Sequence, residues 1–263
     1  TPRLAGLLPH LRVVLAGILP EGGSADAIAN DTDTGLDVLV RPHKRIPLSL
    51  EANQKLVAFA EAADLARLSW GDRATAELVV TRRQPSLTFG EVSVEPPPGA
   101  FLQATRRAEQ AMREAVASWV GDTKRVADLF SGLGTLTIGR PWRTTLYESD
   151  KLSVAAVEAA GRRLGGGRLT AVRRDLFRNA LMASELDAFG TVVLDPPRAG
   201  AAAQCAELAR SKVKRVVYAS CDPGSFARDV RVLQDGGYRL EKLMPIDQFL
   251  WSAHVELIAY LAK

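Results

Sequence analysis

The chain has little cysteine and no long apolar run. Of its 263 residues only two are cysteine, Cys205 and Cys221. Two thiols cannot form a disulfide framework, a four-thiolate zinc site or an unaided iron–sulfur cluster. We therefore predict no metal site, and we expect a cytoplasmic protein. No apolar stretch approaches the roughly 18 residues of a membrane span, and no signal peptide is recognisable, so no membrane association is predicted.

The composition is that of a globular protein with a sizeable core. Hydrophobic residues make up 47% of the chain and charged residues 24%, and the length suggests one large or two modest domains. The net charge of +4 is compatible with nucleic-acid binding but does not establish it. There are no internal repeats or low-complexity tracts, so the motifs have to carry the functional argument.

Residues 1–99 are predicted to form a smaller α+β or β-rich subdomain. Asp33-Thr34-Gly35 is a turn signal and predicts a hairpin, and Ser49 is a candidate helix cap. The predicted elements are strands over 11–19, 36–40, 77–81 and 87–95 and a helix from Ser49 to about residue 68. Pro96-Pro97-Pro98-Gly99 ends this part, which by itself does not indicate a function.

Residues 100–263 alternate strands with helices, which predicts an α/β fold with a doubly wound, mostly parallel sheet. The last two strands lack a helix between them, so they should form an antiparallel hairpin. Ligands of such sheets bind at the carboxyl ends of the strands. The predicted strands cover 124–130, 144–148, 169–173, 191–195, 213–219, 238–244 and 254–261; the predicted helices cover 104–120, a short stretch from 135, 152–164, 201–211 and 225–234.

A glycine turn follows the first strand of this second part. Gly132 and Gly134 would let the chain approach a ligand closely, although a simple tight turn is the alternative interpretation. Acids then end the next two strands, Glu148 where a ribose diol would bind and Asp175 where an adenine edge would lie. This order of glycine turn, acid and acid points to S-adenosylmethionine rather than NAD. The following helix should be short because Pro141 comes early.

Asp195-Pro196-Pro197-Arg198 ends the fourth strand. Two prolines make a rigid, extended turn with few amide donors, which could hold the edge of a base. The alternative is a plain strand-terminating loop. Arg198, together with other cations (Lys44, Arg45, Arg106 and Arg107), is a candidate contact for RNA phosphates.

The two cysteines differ in their surroundings. Cys221 ends a buried strand just before a helix, and a helix N-terminus lowers the pKa of a thiol, so we predict a thiolate nucleophile there. Cys205 lies inside a predicted helix and is interpreted as an inert core residue.

Glu256 lies within an apolar strand near the C-terminus. A desolvated carboxyl group has a raised pKa and suits a general base; an outward-facing glutamate on an edge strand is an equally weighted alternative. His254 is interpreted as structural or orienting. Phe249 and Trp251 could stack on a base, although core packing is slightly favoured. Gln103, at the start of a helix, could bond to a ligand amide or base.

Taken together, these motifs resemble the RNA uracil-5-methyltransferase family. The shared pattern is Phe-x-Gln, Asp-Leu-x-x-Gly-x-Gly, Asp-Pro-Pro-Arg-x-Gly, Ser-Cys-Asn/Asp-Pro and His-Val-Glu, in this order, over residues 101–263. The resemblance implies a Rossmann-like, S-adenosylmethionine-dependent enzyme with Cys221 as nucleophile and Glu256 as base. It implies that the methyl donor is lined by Gln103, Phe130, Thr135, Glu148, Asp175 and Asp195, with Gln103 and Asp195 also near the target base.

The resemblance also implies the substrate. Ribosomal RNA is the first expectation and transfer RNA the second, and no protein partner is implied. Many family members have an N-terminal RNA-binding barrel and some have a cysteine cluster that holds iron–sulfur; neither is visible here. A non-catalytic RNA-binding relative is the alternative of a different class, disfavoured because Cys221 and Glu256 are present. Methylation of an exocyclic amine is disfavoured because Arg198, not an aromatic residue, follows the two prolines.

Overall fold

The structure is a computed structural model that describes residues 2–249, 252 and 254–263. It divides into two compact units. The first holds the chain up to Thr88 together with Ser93–Leu102, and the second holds Phe89–Val92 and Gln103–Lys263. A short hairpin of β5 (Leu87–Phe89) and β6 (Val92–Val94) contributes residues to both units.

The first unit is a four-stranded sheet with two helices, and the strands lie in chain order. The pairing is antiparallel except between the second and third strands, which are parallel. A helix joins these two strands, as a parallel crossover requires. The elements are α1 (Pro2–Ala16), β1 (Ala25–Thr32), β2 (Gly35–Pro42), α2 (Leu50–Ala62), β3 (Leu65–Trp70) and β4 (Glu77–Thr81).

The second unit is built on a seven-stranded sheet. Its strands are β7 (Arg125–Leu129), β8 (Arg143–Glu148), β9 (Leu169–Arg173), β10 (Thr191–Leu194), β11 (Arg215–Ser220), β12 (Arg239–Ile246) and β13 (Glu256–Ala262). The spatial order is β12-β13-β11-β10-β7-β8-β9. The five strands from β7 to β11 pair in parallel, and β13 is antiparallel to both of its neighbours. This confirms the α/β sheet and its terminal antiparallel hairpin.

Helices cover both faces of this sheet. They are α3 (Arg106–Val120), α4 (Lys151–Leu164), α5 (Ala183–Leu186), α6 (Ala202–Arg210) and α7 (Pro223–Asp235). Alternate strand residues point to opposite faces: Val192 and Leu194 join a core with α6 and α7, whereas Val193 joins a core with α3. Each buried leucine or valine contributes about 1.5–3 kcal/mol of hydrophobic stabilisation. The doubly wound prediction is therefore confirmed.

Four predicted elements are wrong. The single strand predicted over residues 87–95 is the hairpin of β5 and β6, because the chain turns at Gly90, which has a φ of 62°. The strand over residues 11–19 is part of helix α1, because Leu4, Leu7 and Leu11 continue the apolar pattern upstream at helical spacing. The helix predicted to reach residue 68 stops at Ala62. Asp64 then adopts a left-handed φ of 49°, and the six residues of β3 that follow are all buried, as an interior strand requires.

The helix expected from Thr135 is also absent. Residues 132–139 form successive turns, and no helix occurs between β7 and β8. Gly139 has a φ of 78° and lies so close to the Phe89 carbonyl that a Cβ would not fit. Pro141 follows and cannot donate a helical hydrogen bond. The glycine turn is thus joined to β8 by a compact turn structure.

Candidate active site

The predicted site residues gather at one edge of the second sheet. β7 to β11 are parallel, so their carboxyl ends share this edge, and Phe130, Asp195 and Cys221 directly follow three of them. Strand β13 runs in the opposite direction and begins at the same edge with Glu256. Because Ser220 pairs with Leu257, Cys221 and Glu256 are the next residues of two adjacent strands.

The thiol of Cys221 is half-buried between the end of β11 and the start of α7. Burial raises its pKa, and the charges of Glu256 and Asp195 raise it further, against a smaller lowering by Arg198. The prediction that this position lowers the thiol pKa is therefore wrong: the net shift is upwards, and desolvation is its largest cause. Cys205 is fully buried in α6, which confirms its core role.

Glu256 is a buried carboxyl group in the interior of a sheet. Only 7% of the residue is exposed, and β13 lies between β11 and β12, which rules out the outward-facing glutamate of an edge strand. Burial raises the pKa of Glu256, and a hydrogen bond from the side chain of Gln248 opposes that rise. A carboxylate in this position is a stronger base than one in water.

Two further carboxyl groups share this environment. Burial raises the pKa of Asp195 to about 7, with a contribution from the charge of Glu256. Burial likewise raises the pKa of Asp128, the fourth residue of β7, to about 7, with contributions from Asp195 and Glu148. The Asp128 carboxylate accepts a hydrogen bond from the Thr137 hydroxyl at 2.5 Å. These carboxyl groups raise one another's pKa, so a positively charged ligand would favour their ionised forms and be stabilised by them.

The glycine turn is tied to the end of β8 by Glu148. Its Oε2 accepts a hydrogen bond from the Gly132 amide at 2.9 Å, and its Oε1 accepts one from the Asp150 amide at 2.8 Å. Gly132 has a φ of 54° and nothing within 4 Å of where a Cβ would be. Gly134 differs, because a Cβ there would collide with the side chain of Leu146. Gly132 thus faces open space, and Gly134 serves close packing.

An aromatic pair lies beside this turn. Phe130 has a φ of 58°, a left-handed conformation that non-glycine residues rarely adopt and that is concentrated at functional sites. Its ring centroid lies 5.2 Å from that of Phe177, a residue that is 54% exposed. The Phe177 amide donates to Asp175 Oδ1 at 3.0 Å, which fixes the loop after β9. The pair offers an apolar surface next to the Asp175 carboxyl group.

Gln103 reaches the site through a second amide. Its Oε1 accepts a hydrogen bond from Gln248 Nε2 at 3.2 Å, which links it to the residue that bonds Glu256. Thr135 lies in the turn structure and presents its carbonyl oxygen to the Arg113 guanidinium; its hydroxyl group makes no hydrogen bond among the described residues. Thr135 is the predicted residue for which this arrangement gives the least support.

The Asp-Pro-Pro-Arg turn and the segment before β13 meet near the thiol. Arg198 lies 2.8 Å from His254 Nδ1 through its guanidinium, in agreement with an orienting role for His254. Phe249 is 37% exposed and contacts the His254 ring edge-on, so core packing is wrong for Phe249. Trp251 lies outside the described residues.

Two parts of this site were missed at the sequence level. Asp128 belongs to the Asp-Leu-x-x-Gly-x-Gly motif but has no predicted role, although an acid inside the apolar run Val126–Leu129 is the same signal that identified Glu256. Gln248 stands in the Asp-Gln-Phe stretch before the His-Val-Glu motif, where no periodicity indicates burial. Its role is visible only once the chain brings it to Gln103.

Metal-binding clusters and membrane-spanning helices are both absent from the described part of the chain. There, no group of three or more His, Cys, Asp or Glu side chains has an arrangement that could hold a metal ion. No helix formed by those residues has both the length and the apolar character needed to span a bilayer.

The sequence is similar to known RNA methyltransferases. The family model described as tRNA (Uracil-5-)-methyltransferase matches residues 168–263. An uncharacterized RNA methyltransferase of Rhizobium meliloti is 43% identical over 272 residues, which cover 100% of this chain and 63% of that protein. The 23S rRNA (uracil(1939)-C(5))-methyltransferase RlmD of Aeromonas salmonicida is 32% identical over 97% of this chain and 59% of its own length. The chain thus spans less than two thirds of these relatives.

The fold has counterparts among solved structures. A tRNA (uracil-54, C5)-methyltransferase of Pyrococcus abyssi, solved with S-adenosyl-L-homocysteine, superposes with a TM-score of 0.66 at 22% identity, over 89% of this chain and 58% of that one. TYW2 of P. horikoshii superposes with a TM-score of 0.58 at 14% identity, over 97% and 98% of the two chains. At these identities the likeness establishes the Rossmann-like fold.

Proposed function

Because the chain belongs to the RNA uracil-5-methyltransferase family, we propose that it transfers a methyl group from S-adenosylmethionine to C5 of a uridine in RNA. The observation that carries this proposal is the meeting of the Cys221 thiol and the buried Glu256 carboxyl at one edge of the sheet. A nucleophile and a base are the two protein groups that the reaction requires.

The same edge fits the methyl donor. S-adenosylmethionine, when bound, supplies an electrophilic methyl group on a positively charged sulfonium. The carboxyl groups there repel one another and raise one another's pKa values, so a cation relieves an existing cost. The open space over Gly132 leaves room for the ligand. We assign its binding to Gln103, Phe130, Thr135, Glu148, Asp175 and Asp195.

Cys221 begins the reaction. Uracil C5 is a poor nucleophile, but a bond from Cys221 Sγ to C6 moves the electrons of the C5–C6 double bond towards C5 and O4. The thiol must lose its proton first, and its raised pKa opposes this in the free protein. A cationic donor among the neighbouring carboxylates offsets their charge, so donor binding should lower the thiol pKa and favour the thiolate.

Glu256 completes the reaction. After C5 has taken the methyl group, that carbon carries both the methyl group and a proton, and the ring is still bonded to Cys221. The Glu256 carboxylate removes the C5 proton, the C–H electrons re-form the C5–C6 double bond, and the thiolate leaves C6. The elevated pKa of Glu256 makes it a suitable acceptor for this proton.

We further propose that the uridine lies in ribosomal RNA, because a 32% identical relative is named a 23S rRNA enzyme. Transfer RNA is the second candidate, favoured by the description of the matching family model. In either RNA the target base must be unstacked to reach a half-buried thiol. Mapping 5-methyluridine in ribosomal and transfer RNA from cells lacking the protein distinguishes the two.

The test of the chemistry is covalent trapping. RNA substituted with 5-fluorouridine should form an adduct with the protein in the presence of S-adenosylmethionine, because Glu256 cannot remove fluorine and the intermediate persists. Cys221→Ala should form none, whereas Cys205→Ala should behave as the wild type. An adduct that still forms with Cys221→Ala would show that Cys221 is not the nucleophile. Failure of the wild type with both ribosomal and transfer RNA transcripts would favour the non-catalytic RNA-binding relative.

A further inference from the structure

Basic residues mark the amino end of the second sheet, opposite the edge that holds the candidate active site. Lys124 directly precedes β7, Arg143 begins β8 and Arg168 directly precedes β9. The Arg143 amide donates to the Lys124 carbonyl at 2.9 Å, and the Thr144 amide donates to the Arg168 carbonyl, also at 2.9 Å. Because neighbouring strands lie about 4.8 Å apart, three cationic residues stand side by side at this edge.

These residues line an open concavity of about 670 Å³, which we call the amino-edge concavity. All of its lining residues belong to the second unit. Asp122 is the acidic residue among those described in the lining, and it is already paired, since its carboxylate lies 3.4 Å from the Arg215 guanidinium. The lining is therefore positively charged. Its basic residues are Lys124, Arg140, Arg143 and Arg168.

Two of these cations keep their charge available for a ligand. Lys124 and Arg143 are exposed, and neither forms an ion pair with a described residue. The exposed Arg231 on α7 shows a different arrangement, because the Asp235 carboxylate lies one turn away at 3.0 Å. Such a pair presents little net charge to solvent, whereas two unpaired cations beside one concavity attract an anion.

Buried donors in the same wall also lack acceptors. Trp142 directly precedes Arg143 and is only 7% exposed, and its indole Nε1 has no hydrogen-bond partner in the described part of the chain. The same holds for Nε of Arg140, although Nη2 of that guanidinium donates to the Arg113 carbonyl at 2.9 Å. Unpaired buried donors are costly, so an acceptor that approaches this wall would relieve part of the cost.

The arrangement fits the backbone of RNA. Phosphate oxygens accept hydrogen bonds from Lys and Arg, and such contacts dominate the affinity for nucleic acids. The cations are spread along a sheet edge, which suits a chain of phosphates, and the relatives of this chain are RNA methyltransferases. Strand β8 has six residues, so the two edges lie only about 16–17 Å apart. A structured RNA that presents a base at one edge can therefore extend to the other.

We propose that the amino-edge concavity binds backbone phosphates of the substrate RNA, away from the target base, through Lys124 and Arg143. The inference rests on the proposed function, because it takes the RNA substrate as the ligand. Arg168 shares its charge with Glu91 and contributes less. Phosphate contacts fix the register of the RNA on the protein and do not read its sequence. They should change the affinity for RNA and leave the chemical step untouched.

The salt dependence of RNA binding tests this inference. Kd is measured by fluorescence anisotropy for a labelled RNA hairpin of about 16 base pairs, over a series of KCl concentrations and with S-adenosyl-L-homocysteine present. Each phosphate contact contributes about 0.7–0.9 to the slope of log Kd against log salt concentration. The slope should therefore fall by about 1.4–1.8 in Lys124→Gln/Arg143→Gln. At saturating RNA, the rate of 5-fluorouridine adduct formation should equal that of the wild type.

Two further variants serve as controls. Lys124→Arg/Arg143→Lys keeps both charges and should keep the wild-type slope. Arg231→Gln/Arg239→Gln removes the same number of charges from exposed positions of α7 and β12 that are paired with acids, so its slope should stay close to that of the wild type. This second control separates a loss at the concavity from a change in net charge. Thermal unfolding should be alike in all of these proteins, because every substituted side chain is exposed.

An unchanged slope in Lys124→Gln/Arg143→Gln, or a wild type that does not bind the hairpin, would overturn the inference. An equal fall in Arg231→Gln/Arg239→Gln would overturn it too, because net charge would then explain the loss. If inorganic phosphate raises the thermal stability of the wild type alone while the RNA slopes agree, the concavity binds a free anion and the inference is wrong. A lowered slope in a protein that forms no 5-fluorouridine adduct would support the concavity and count against the proposed methyl transfer.

Discussion

Buried carboxyl groups occur in both units of the protein, and their surroundings differ. In the first unit Asp37 is buried beside Arg67, whose guanidinium donates to its two oxygens at 2.8 and 2.7 Å. In the second unit Asp128 and Glu256 are also buried, but no described cation forms an ion pair with either. The first charge is paired, although burial still raises the pKa of Asp37 against the effect of Arg67, whereas the second arrangement has no paired cation among the described residues.

This difference separates a structural carboxylate from candidate functional ones. Burying a charge is costly unless it is paired. Arg67 also donates to the Pro96 carbonyl at 2.8 Å, so the pair in the first unit ties backbone and side chains together. At the edge of the second sheet, no described cation offsets the cost of burying the carboxylates. A positively charged methyl donor is a ligand that would offset it. The two kinds of carboxyl group should therefore respond differently to substitution.

The largest effect is expected at Glu256. Glu256→Gln keeps the shape of the side chain and removes the base, so turnover should fall by on the order of 10²–10⁴-fold and methylated adduct should accumulate. The thermal stability should be unchanged or higher, because an unpaired buried charge is lost. Quenched-flow assays with denaturing gels measure the adduct. Glu241→Gln, at an exposed position of β12, is the control; normal turnover in Glu256→Gln would exclude Glu256 as the base.

Breaking the ion pair of Arg67 and Asp37 should, in contrast, lower the stability of the fold. Arg67→Met strands the Asp37 carboxylate in the core, so the free energy of unfolding should fall by about 3–5 kcal/mol. Adding Asp37→Leu to that variant should recover most of the loss, because no charge is left unpaired. Urea denaturation at pH 7 measures both variants. A double variant as unstable as Arg67→Met would show that the pair stabilises beyond charge compensation.

The sequence predicted more of the second unit than of the first for a physical reason. Strands such as β9 and β10 are short apolar runs between turn signals, and their alternation with helices leaves only one class of sheet. In the first unit, residues 11–19 are apolar enough for either a strand or a helix. Packing against the core, where Leu7 and Leu11 are buried, favours the helix over the strand. A local sequence pattern does not contain that information.

For the site, the residues at the ends of strands could be predicted from the sequence, whereas contacts between residues far apart in the sequence could not. The topology rule brought Cys221 and Asp195 to one edge, because parallel strands end together. The thiol pKa was predicted in the wrong direction because the helix N-terminus is visible in the sequence, whereas the burial that raises the pKa most, and the carboxylates of Glu256 and Asp195 that raise it further, depend on distant parts of the chain. The bond between Gln248 and Gln103 spans 145 residues, beyond the reach of any periodicity.

The smallest of these effects, on stability as a function of pH, bears on Asp128. Its pKa is raised from 3.8 to about 7 in the folded protein, so between these values the folded state binds more protons than the unfolded state. The free energy of unfolding should therefore fall as pH rises from about 4 to 7 and level off above, and Asp128 accounts for on the order of 2–4 kcal/mol of that fall.

Asp128→Asn removes this titration and keeps an acceptor for the Thr137 hydroxyl, so its stability should fall less than that of the wild type between pH 5 and pH 8. Asp64 is the contrasting control. Its pKa is lowered to about 2 by Arg83 and Arg82, so its stabilisation is lost only below about pH 4, and Asp64→Asn should run parallel to the wild type across the window. Urea denaturation at four pH values gives the slopes. Parallel curves for Asp128→Asn and the wild type would mean that Asp128 is compensated in solution, and the contrast with Asp37 would then rest on Asp195 and Glu256.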